Sequence, residues 1–211
     1  MSLFTPIKEA IEHFKKNQFV IVMDDESREN EGDLICAADN VTTEQLAFLV
    51  RHSSGYVCAP MTNKLADTLD LPLVRGNLKY ESFADDRHGT AYTVTVDVAE
   101  GTTTGISAHD RALTCRGLAK AGAKSTDFLK PGHVCPLRAV DGGVLKRRGH
   151  TEAAVDLCEL SGLPPVGVIC ELVNDTDGSM MRLDDCVEFG KQFNIPLITI
   201  DALAEFLQSR A

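Results

Sequence analysis

With 211 residues, 44% of them hydrophobic, the chain is long enough for one sizeable core, and we predict a single domain spanning residues 1–211. The formal charge of −10 disfavours nucleic acid and anionic membranes as partners, and the sequence contains neither a secretory signal pattern nor an apolar run long enough to span a bilayer. Seven scattered cysteines without a CxxC pair indicate free thiols rather than a disulfide framework or a zinc site, so a cytoplasmic location is expected.

Hydrophobic periodicity in the first half of the chain predicts alternating helices and strands. In chain order we expect a helix capped by Thr5 with Pro6 as its first residue, a strand at 18–23, a strand at 34–38, a helix with a capping box from Thr42 to Gln45, and a strand at 90–98. The polar segment 63–89, which includes the charged run 85–89, is predicted to be a surface loop.

The second half continues the alternation. We expect helices after Ser107 and after the junction 146–152, a strand at 166–172, a helix at 184–193, a strand at 196–200 and a final helix at 201–208. Mixed helices and strands of this kind predict an α+β fold. We expect a three-layer α/β/α arrangement around one mixed, twisted β-sheet.

Acidic side chains crowd the stretch DDESRENEGDL at residues 24–34, directly after the first predicted strand. On an extended backbone the alternating residues Glu29, Glu31 and Asp33 would project from one side, about 6 to 7 Å apart. Their repulsion must be offset by Arg28, by a divalent cation such as magnesium, or by water. A solvated acidic turn is the more common arrangement for such a run.

Basic and hydroxyl side chains gather at two predicted helix starts. The sequence RRGHT at residues 147–151 combines two guanidinium groups with the free N–H groups and positive dipole of a helix start, which suits a phosphate monoester. The alternative is a basic loop in which Thr151 caps the helix. The turn at residues 101–110 offers further hydroxyls. His150 is open to three roles, as a metal ligand, a general base or an ordinary loop histidine.

Three further residues are candidates for chemistry. His133 follows a proline-glycine turn, and its alternative role is a hydrogen bond to a loop carbonyl. Glu171 interrupts an apolar strand, so it is either paired structurally or placed at a strand end facing a cleft, where it can transfer protons. Cys58 is either a reactive thiol or a small buried hydrophobic residue. These sites indicate a metal-dependent enzyme acting on a small phosphorylated molecule, and spacing does not name the reaction.

Several longer motifs resemble those of the 3,4-dihydroxy-2-butanone 4-phosphate synthase family, in the family's order and over nearly the whole chain. They are DDESRENEGDL at 24–34, RHSSG at 51–55, TTGISAHDR at 103–111, PGH at 131–133, RGHTEA at 148–153 and CEL at 170–172. The stretches DDRHGTAYT and MMRLDDC further resemble the fungal branch of the family.

The resemblance implies an enzyme of riboflavin biosynthesis. Such an enzyme converts D-ribulose 5-phosphate to L-3,4-dihydroxy-2-butanone 4-phosphate and formate, by metal-assisted enolisation, skeletal rearrangement and loss of C4. The resemblance also implies magnesium, with manganese as an alternative, and no organic cofactor. It further implies a homodimer with its active sites at the subunit interface.

The matched motifs imply roles for individual residues. The implied metal ligands are Glu29 and His150. The residues implied to be catalytic are His133, Glu171, Glu31 and Asp33. The residues implied to bind substrate are Arg28, Glu29, Asp33, Thr104, Ser107, Arg147, Arg148, Gly149, His150, Thr151 and Glu171.

Two other classes of function remain open. One is another metal-dependent sugar-phosphate isomerase or aldolase, which would share the metal and phosphate sites but release no formate. The other is a non-catalytic relative that binds metal or phosphate, or that senses oxidants through Cys58. The intact residues Glu29, His133, His150 and Glu171 argue against lost catalysis. Because one domain accounts for the 211 residues, a fusion with a GTP cyclohydrolase II domain is not expected.

Overall fold

The computed structural model of the protein describes residues 3–74 and 88–210. The helices are α1 (Ile7–Lys15), α2 (Thr43–His52), α3 (Asn63–Thr68), α4 (Ala108–Ala119), α5 (His150–Leu160), α6 (Leu183–Phe193) and α7 (Ile200–Gln208). The strands are β1 (Val20–Met23), β2 (Gly32–Ala37), β3 (Cys58–Met61), β4 (Val96–Val98), β5 (Phe128–Arg138), β6 (Gly167–Glu171) and β7 (Leu197–Thr199). No helix within these two ranges is long and apolar enough to cross a membrane.

The strands form one mixed sheet in the order β4-β5-β3-β6-β2-β1-β7. Strand β1 pairs with β7, and β3 with β5, in parallel, whereas the other neighbouring strands are antiparallel. The register places Asp33 of β2 directly opposite Glu171 of β6. It also places His133 of β5 at the same end of the sheet. Because β3 lies between β5 and β6, His133 is about 10 Å to the side of Glu171.

Helices cover both faces of this sheet. Helices α2, α4 and α6 pack on one face, where Ile21 and Leu34 are buried. Helices α1, α5 and α7 pack on the opposite face, where Val22 and Ile35 are buried. Adjacent strand residues thus alternate between two hydrophobic layers. The predicted α+β class and the three-layer arrangement around a mixed sheet are confirmed.

Two predictions for the first half of the chain are wrong in part. Helix α3 lies within the segment expected to be a loop. Thr62 caps this helix by accepting a hydrogen bond from Leu65 N. The strand predicted at residues 90–98 is formed only at its end, as β4, while Tyr92 and Thr93 make single bridges. Most of the charged run predicted at 85–89 lies outside the described residues.

Helix caps follow the predictions with one exception. Thr42 and Gln45 form the expected capping box of α2, and Ser107 caps α4 by accepting a hydrogen bond from Asp110 N at 3.0 Å. Thr5 is not the cap of α1, however. Pro6 occupies the cap position, and Thr5 Oγ1 instead accepts a hydrogen bond from Leu197 N at 3.3 Å, which ties the chain start to β7.

All seven cysteines are free and buried. The expectation of free thiols without disulfides is therefore confirmed. Cys58 on β3 is 2% exposed, and a hydrogen bond with Cys135 together with burial raises its pKa. These properties favour the small buried hydrophobic residue over the reactive thiol.

Candidate active site

The acidic loop between β1 and β2 folds around the buried carboxylate of Asp24. This carboxylate accepts hydrogen bonds from the backbone N–H groups of Glu29 at 3.0 Å and Glu31 at 2.8 Å. Arg28 Nη1 donates to it at 2.9 Å and also contacts the Glu29 carboxylate. Arg28 therefore offsets part of the repulsion among the acids, and Asp24 sets the shape of the loop.

The loop turns Glu29 towards His150. Residues 26–29 form a turn, and Asn30 has a left-handed φ of 54°. The predicted extended alternation is therefore wrong at Glu29. The turn places Glu29 Oε2 at 3.8 Å from His150 Nδ1.

His150 is the first residue of α5 and is buried between the helix and the sheet. Its Nε2 lies 3.1 Å from the carbonyl oxygen of Val22, and its Nδ1 lies 3.7 Å from Asp33 Oδ1. A carbonyl only accepts hydrogen bonds, so Nε2 carries the proton in this contact. In the neutral ring, the Nδ1 lone pair then faces the carboxylates, which is the usual arrangement of a metal-binding histidine.

Burial and charge shift the pKa values of these three groups in different directions. Burial raises the pKa of Asp33 to about 7, with Glu171 adding to the effect and His150 opposing it. Burial lowers the pKa of His150, but the charges of Asp33 and Glu29 outweigh it and raise that pKa to about 9. Burial also raises the pKa of Glu29, but nearby His150 and Arg28 lower it to about 2. These shifts favour a protonated His150 beside an ionised Glu29.

The same groups form a candidate cation site. Ligand atoms of Asp24, Glu29 and His150 all lie within 4.8 Å of one another. Asp33 Oδ1 is buried and has no hydrogen-bond partner among the residues that the structure describes. Carboxylate oxygens with one imidazole fit a hard divalent cation. Because Asp24 already accepts backbone hydrogen bonds, Glu29 and His150 are the freer ligands.

We expect magnesium binding to strengthen as the pH rises. The pKa of His150 is about 9, so a cation must displace its proton at neutral pH. Between pH 7 and 9 the apparent affinity should therefore rise by up to about tenfold per pH unit, with protons released on binding. Calorimetric titration with magnesium in two buffers of different ionisation enthalpy measures both quantities. An affinity independent of pH over this range would contradict the assignment of His150.

Glu171 stands at the end of β6, half-buried and opposite Asp33, so its predicted position at a strand end is confirmed. Its Oε2 accepts a hydrogen bond from Ser54 Oγ at 2.8 Å, and its backbone carbonyl accepts one from Ser54 N at 2.8 Å. Glu31 lies nearby, and burial together with Glu29 raises its pKa. Three of the residues predicted to be catalytic therefore gather beside the candidate cation site.

His133 lies in a bulge of β5, whereas the sequence predicts a position just after a proline-glycine turn. The register between β4 and β5 shifts after Val96, because residues 130–133 bulge out of the ladder. Gly132 packs directly on the backbone of Val96, where no Cβ would fit. The bulge brings His133 into hydrogen-bonding contact with Asp97.

The loop that carries Thr104 and Ser107, two predicted substrate ligands, lies against His133. Their loop approaches the bulge so closely that a Cβ on Gly105 would lie 2.5 Å from His133 Nδ1. Thr104 is exposed, and Ser107 Oγ serves as the cap of α4. The structure thus separates the predicted residues into a group around His150 and a group around His133.

The predicted phosphate-binding residues surround the start of α5. Arg147 Nη1 donates to the buried Glu152 carboxylate at 2.5 Å, and Arg148 Nη1 donates to exposed Asp201 at 2.8 Å. Gly149 holds the cap position without a side-chain hydrogen bond, and a Cβ there would collide with Arg147. Thr151 is the second helical residue, so the alternative in which it caps the helix is wrong.

We expect Arg147→Ala to lower the free energy of unfolding by about 3–5 kcal/mol, because it leaves the Glu152 charge buried without its partner. The Glu152 side chain is 1% exposed in this pair. The matched control is Arg148→Ala, which breaks an exposed pair and should cost less than about 1 kcal/mol. Denaturant unfolding of both variants measures the difference, and equal losses would contradict the structural role of Arg147.

Sequence reasoning missed three residues of the site. Asp24 belongs to the acidic run but received no role, and Ser54 was quoted only as part of a motif. Asp97 was read as one member of an alternating strand. Each of the three makes a hydrogen bond with a backbone group of another residue, nearby or remote in sequence. The sequence signals for such contacts are weak.

The fold and this site are those of an α+β protein with a candidate carboxylate and histidine cation site at one end of a mixed sheet. Comparison with known sequences is specific. A family model described as 3,4-dihydroxy-2-butanone 4-phosphate synthase matches residues 8–206. The chain belongs to this family, which acts in riboflavin biosynthesis.

Similar relatives and structures cover the chain almost completely. The 3,4-dihydroxy-2-butanone 4-phosphate synthase of Saccharomyces cerevisiae (strain ATCC 204508 / S288c) is 72% identical over 207 residues, with 98% of this chain and 100% of the relative covered. That of Candida albicans (strain SC5314 / ATCC MYA-2876) is 61% identical, with 98% of each covered. A crystal structure of a synthase in complex with two magnesium ions is 49% identical, with a TM-score of 0.91 and 98% of each chain covered. The resemblance to the family and its fungal members is confirmed.

Proposed function

We propose that this chain converts D-ribulose 5-phosphate to L-3,4-dihydroxy-2-butanone 4-phosphate and formate. The observation that carries the proposal is the cluster of Glu29, His150, Asp33 and Glu171, which places a cation site beside buried carboxylates at one end of the sheet. The 72% identity with a synthase over the full length of that relative supports the same reaction. The proposal involves no organic cofactor.

Glu29 and His150 are proposed to hold magnesium, with manganese as an alternative. The magnesium-bound crystal structure of a 49% identical synthase supports this proposal. Bound magnesium supplies Lewis-acid polarisation of the substrate oxygens. The Val22 carbonyl keeps the His150 ring in the tautomer that such binding needs.

Proton transfer is proposed for Glu171, Glu31, Asp33 and His133. Asp33 has a pKa of about 7, so its carboxyl group is suited to exchange protons near neutral pH, and burial also raises the pKa of Glu31. A proton must leave C3 of the substrate for enolisation and another must be returned later. Ser54 holds the Glu171 carboxylate in place for this exchange.

The substrate phosphate is proposed to bind at the start of α5. The cap residue Gly149 has no side chain that could accept hydrogen bonds from the first N–H groups of the helix, and Thr151 adds a hydroxyl there. Arg28, Arg147 and Arg148 are proposed as further substrate contacts, together with Thr104 and Ser107 from the other group. Holding the phosphate far from the reacting carbons fixes their geometry.

The test of this function is incubation with ribulose 5-phosphate carrying carbon-13 at C4, with and without magnesium, followed by NMR. Labelled formate that forms only with metal is the expected result. Consumption of substrate without formate would indicate an isomerase or aldolase, and no consumption would indicate a relative that only binds. The proposal further places residues 1–211 in one synthase domain in the cytoplasm, which the seven free thiols support.

A homodimer with its active sites at the interface is proposed as the working form. Within one chain His133 lies about 10 Å to the side of Glu171. In a dimer, the second copy would bring its own His133 closer to this Glu171. The side chains of Ile106 and Leu129 next to the His133 group are 53% and 57% exposed, and an interface would bury them.

Mixing two impaired variants, assayed at a magnesium concentration too low to rescue Glu29→Gln, tests this arrangement. If each site combines His133 of one chain with Glu29 of the other, the mixed dimer of His133→Ala and Glu29→Gln contains one intact site. After subunit exchange in a 1:1 mixture, activity should return to about a quarter of the wild-type value. Light scattering verifies the dimer. Absence of any recovery despite exchange would place both groups of residues within one chain.

A further inference from the structure

Arg182 reaches from the start of α6 to the acidic loop between β1 and β2. Its Nη1 group donates hydrogen bonds to the backbone carbonyl oxygens of Glu29 at 2.8 Å and of Asn30 at 2.5 Å. In this part of the loop Asn30 has a left-handed φ of 54°, and the Glu29 side chain turns towards His150. Arg182 therefore contacts the loop at the point where its direction changes.

Helix α6 fixes the backbone from which Arg182 extends. The Arg182 backbone N–H donates a hydrogen bond to Asp185 Oδ2 at 3.0 Å, in the first turn of the helix. The buried side chain of Cys186 packs so closely on Gly32 of β2 that a Cβ on Gly32 would lie 2.5 Å from its sulfur. Arg182 thus connects the acidic loop to a helix that is packed on the sheet.

Hydrogen bonding accounts for this contact better than charge pairing does. Arg182 Nη1 lies 3.9 Å from Glu31 Oε1, and the two side chains are 49% and 22% exposed. An ion pair of this length with a half-exposed partner contributes little. Each of the two carbonyl groups instead accepts an N–H of a charged guanidinium, which makes a stronger hydrogen bond than a neutral donor.

The backbone of the loop is held from two sides. On the buried side the Asp24 carboxylate accepts hydrogen bonds from the N–H groups of Glu29 and Glu31. On the more exposed side Arg182 donates to the carbonyl oxygens of Glu29 and Asn30. Both backbone polar groups of Glu29 are therefore engaged, and this fixes the direction of its side chain.

We propose that Arg182 is a positioning residue for the cation site, holding the acidic loop so that the Glu29 carboxylate faces His150. The proposal rests on the proposed function, in which Glu29 and His150 hold magnesium. Arg182 acts through the backbone of Glu29 and Asn30 and is not itself a ligand.

Hydrogen exchange in the metal-free protein is the first test. In Arg182→Gln the amides of Glu29 and Glu31 should exchange about tenfold faster, because the loop opens more often without its guanidinium. The amide of Leu34 in β2 should keep its wild-type rate. The matched control is Arg51→Gln, at an exposed arginine on α2, which should leave all of these rates unchanged.

Two outcomes of the exchange experiment would overturn the proposal. One is unchanged exchange at Glu29 and Glu31 in Arg182→Gln. The other is an equal acceleration in the loop and at Leu34, because Arg182 would then support the fold as a whole and not the loop.

Magnesium affinity is the second test, and in it position and charge have opposite effects. Removal of a positive charge beside a cation site by itself tightens cation binding. Loss of the support for the loop should outweigh this effect, so Arg182→Gln should bind magnesium about tenfold more weakly in a calorimetric titration. Binding as tight as in the wild type, or tighter, would overturn the proposal.

These measurements separate the role of Arg182 from the proposed reaction, since neither requires turnover. A wild-type protein that releases formate, together with unchanged loop exchange in Arg182→Gln, would refute the role of Arg182 alone. Faster loop exchange and weaker magnesium binding in Arg182→Gln, without formate from the wild type, would refute the reaction alone.

Discussion

Glu171→Gln is expected to abolish turnover while substrate still binds. The amide has the size of the carboxylate, and its oxygen can still accept the hydrogen bond from Ser54 Oγ, so the end of β6 should keep its shape. The amide cannot exchange a proton near neutral pH, however. Loss of one proton-transfer group lowers kcat by about 10²- to 10⁴-fold. Formate release measured by NMR, together with calorimetric binding of ribulose 5-phosphate, separates turnover from binding.

Glu205→Gln provides the matched control for this result. Glu205 is an exposed acid on α7, and the same substitution there should leave kcat unchanged. Wild-type turnover in Glu171→Gln would remove Glu171 from the catalytic residues. Weak substrate binding with unchanged kcat would instead limit Glu171 to a binding role.

Glu29→Gln and His150→Ala are each expected to weaken magnesium binding at least about tenfold and to lower turnover with it. Glu29→Gln replaces a charged ligand by a neutral amide. His150→Ala removes the imidazole and leaves the buried Asp33 carboxylate without its cationic neighbour. Turnover measured over a range of magnesium concentrations should show that excess metal rescues part of the activity.

Controls for the metal variants come from the same residue types on the surface. Glu44→Gln and His109→Ala change an exposed acid and an exposed histidine. Both should keep the wild-type dependence on magnesium. If Glu29→Gln and His150→Ala show that same dependence, then the cation binds elsewhere, and the remaining acids of the loop become the candidates.

The layered fold could be predicted because its signals are local. Sequence patterns predict six of the helices and, wholly or in part, strands β1, β2, β4, β6 and β7, whereas β3 and β5 are not predicted. The cap residues Thr42 and Ser107 mark two helix starts. The short helix α3 was missed since it buries only Ala66 and carries no clear apolar stripe. Thr5 was misread because its hydroxyl binds β7, an interaction with a residue that is remote in sequence.

The clearest signals for the site are runs of polar residues that are adjacent in sequence. The acidic run and the start of α5 stood out as motifs, and the structure brings Glu29 and His150 together. Asp97 could not be found in this way, because it meets His133 across a bulge in a neighbouring strand. Arg147 is predicted to bind phosphate from its place beside a helix start and from the family motif, whereas its guanidinium contacts the buried acid Glu152 in the structure.

The close packing at Gly105 and Gly149 has a consequence for large-scale mutagenesis. A Cβ at either position would occupy the space of a charged or hydrogen-bonded contact, between Asp97 and His133 in one case and at Arg147 in the other. In a library of all single substitutions selected for growth without riboflavin, these glycines should be as intolerant as the metal ligands. In such a library, intolerant glycines would therefore mark part of the site, beside the residues whose side chains bind metal or substrate.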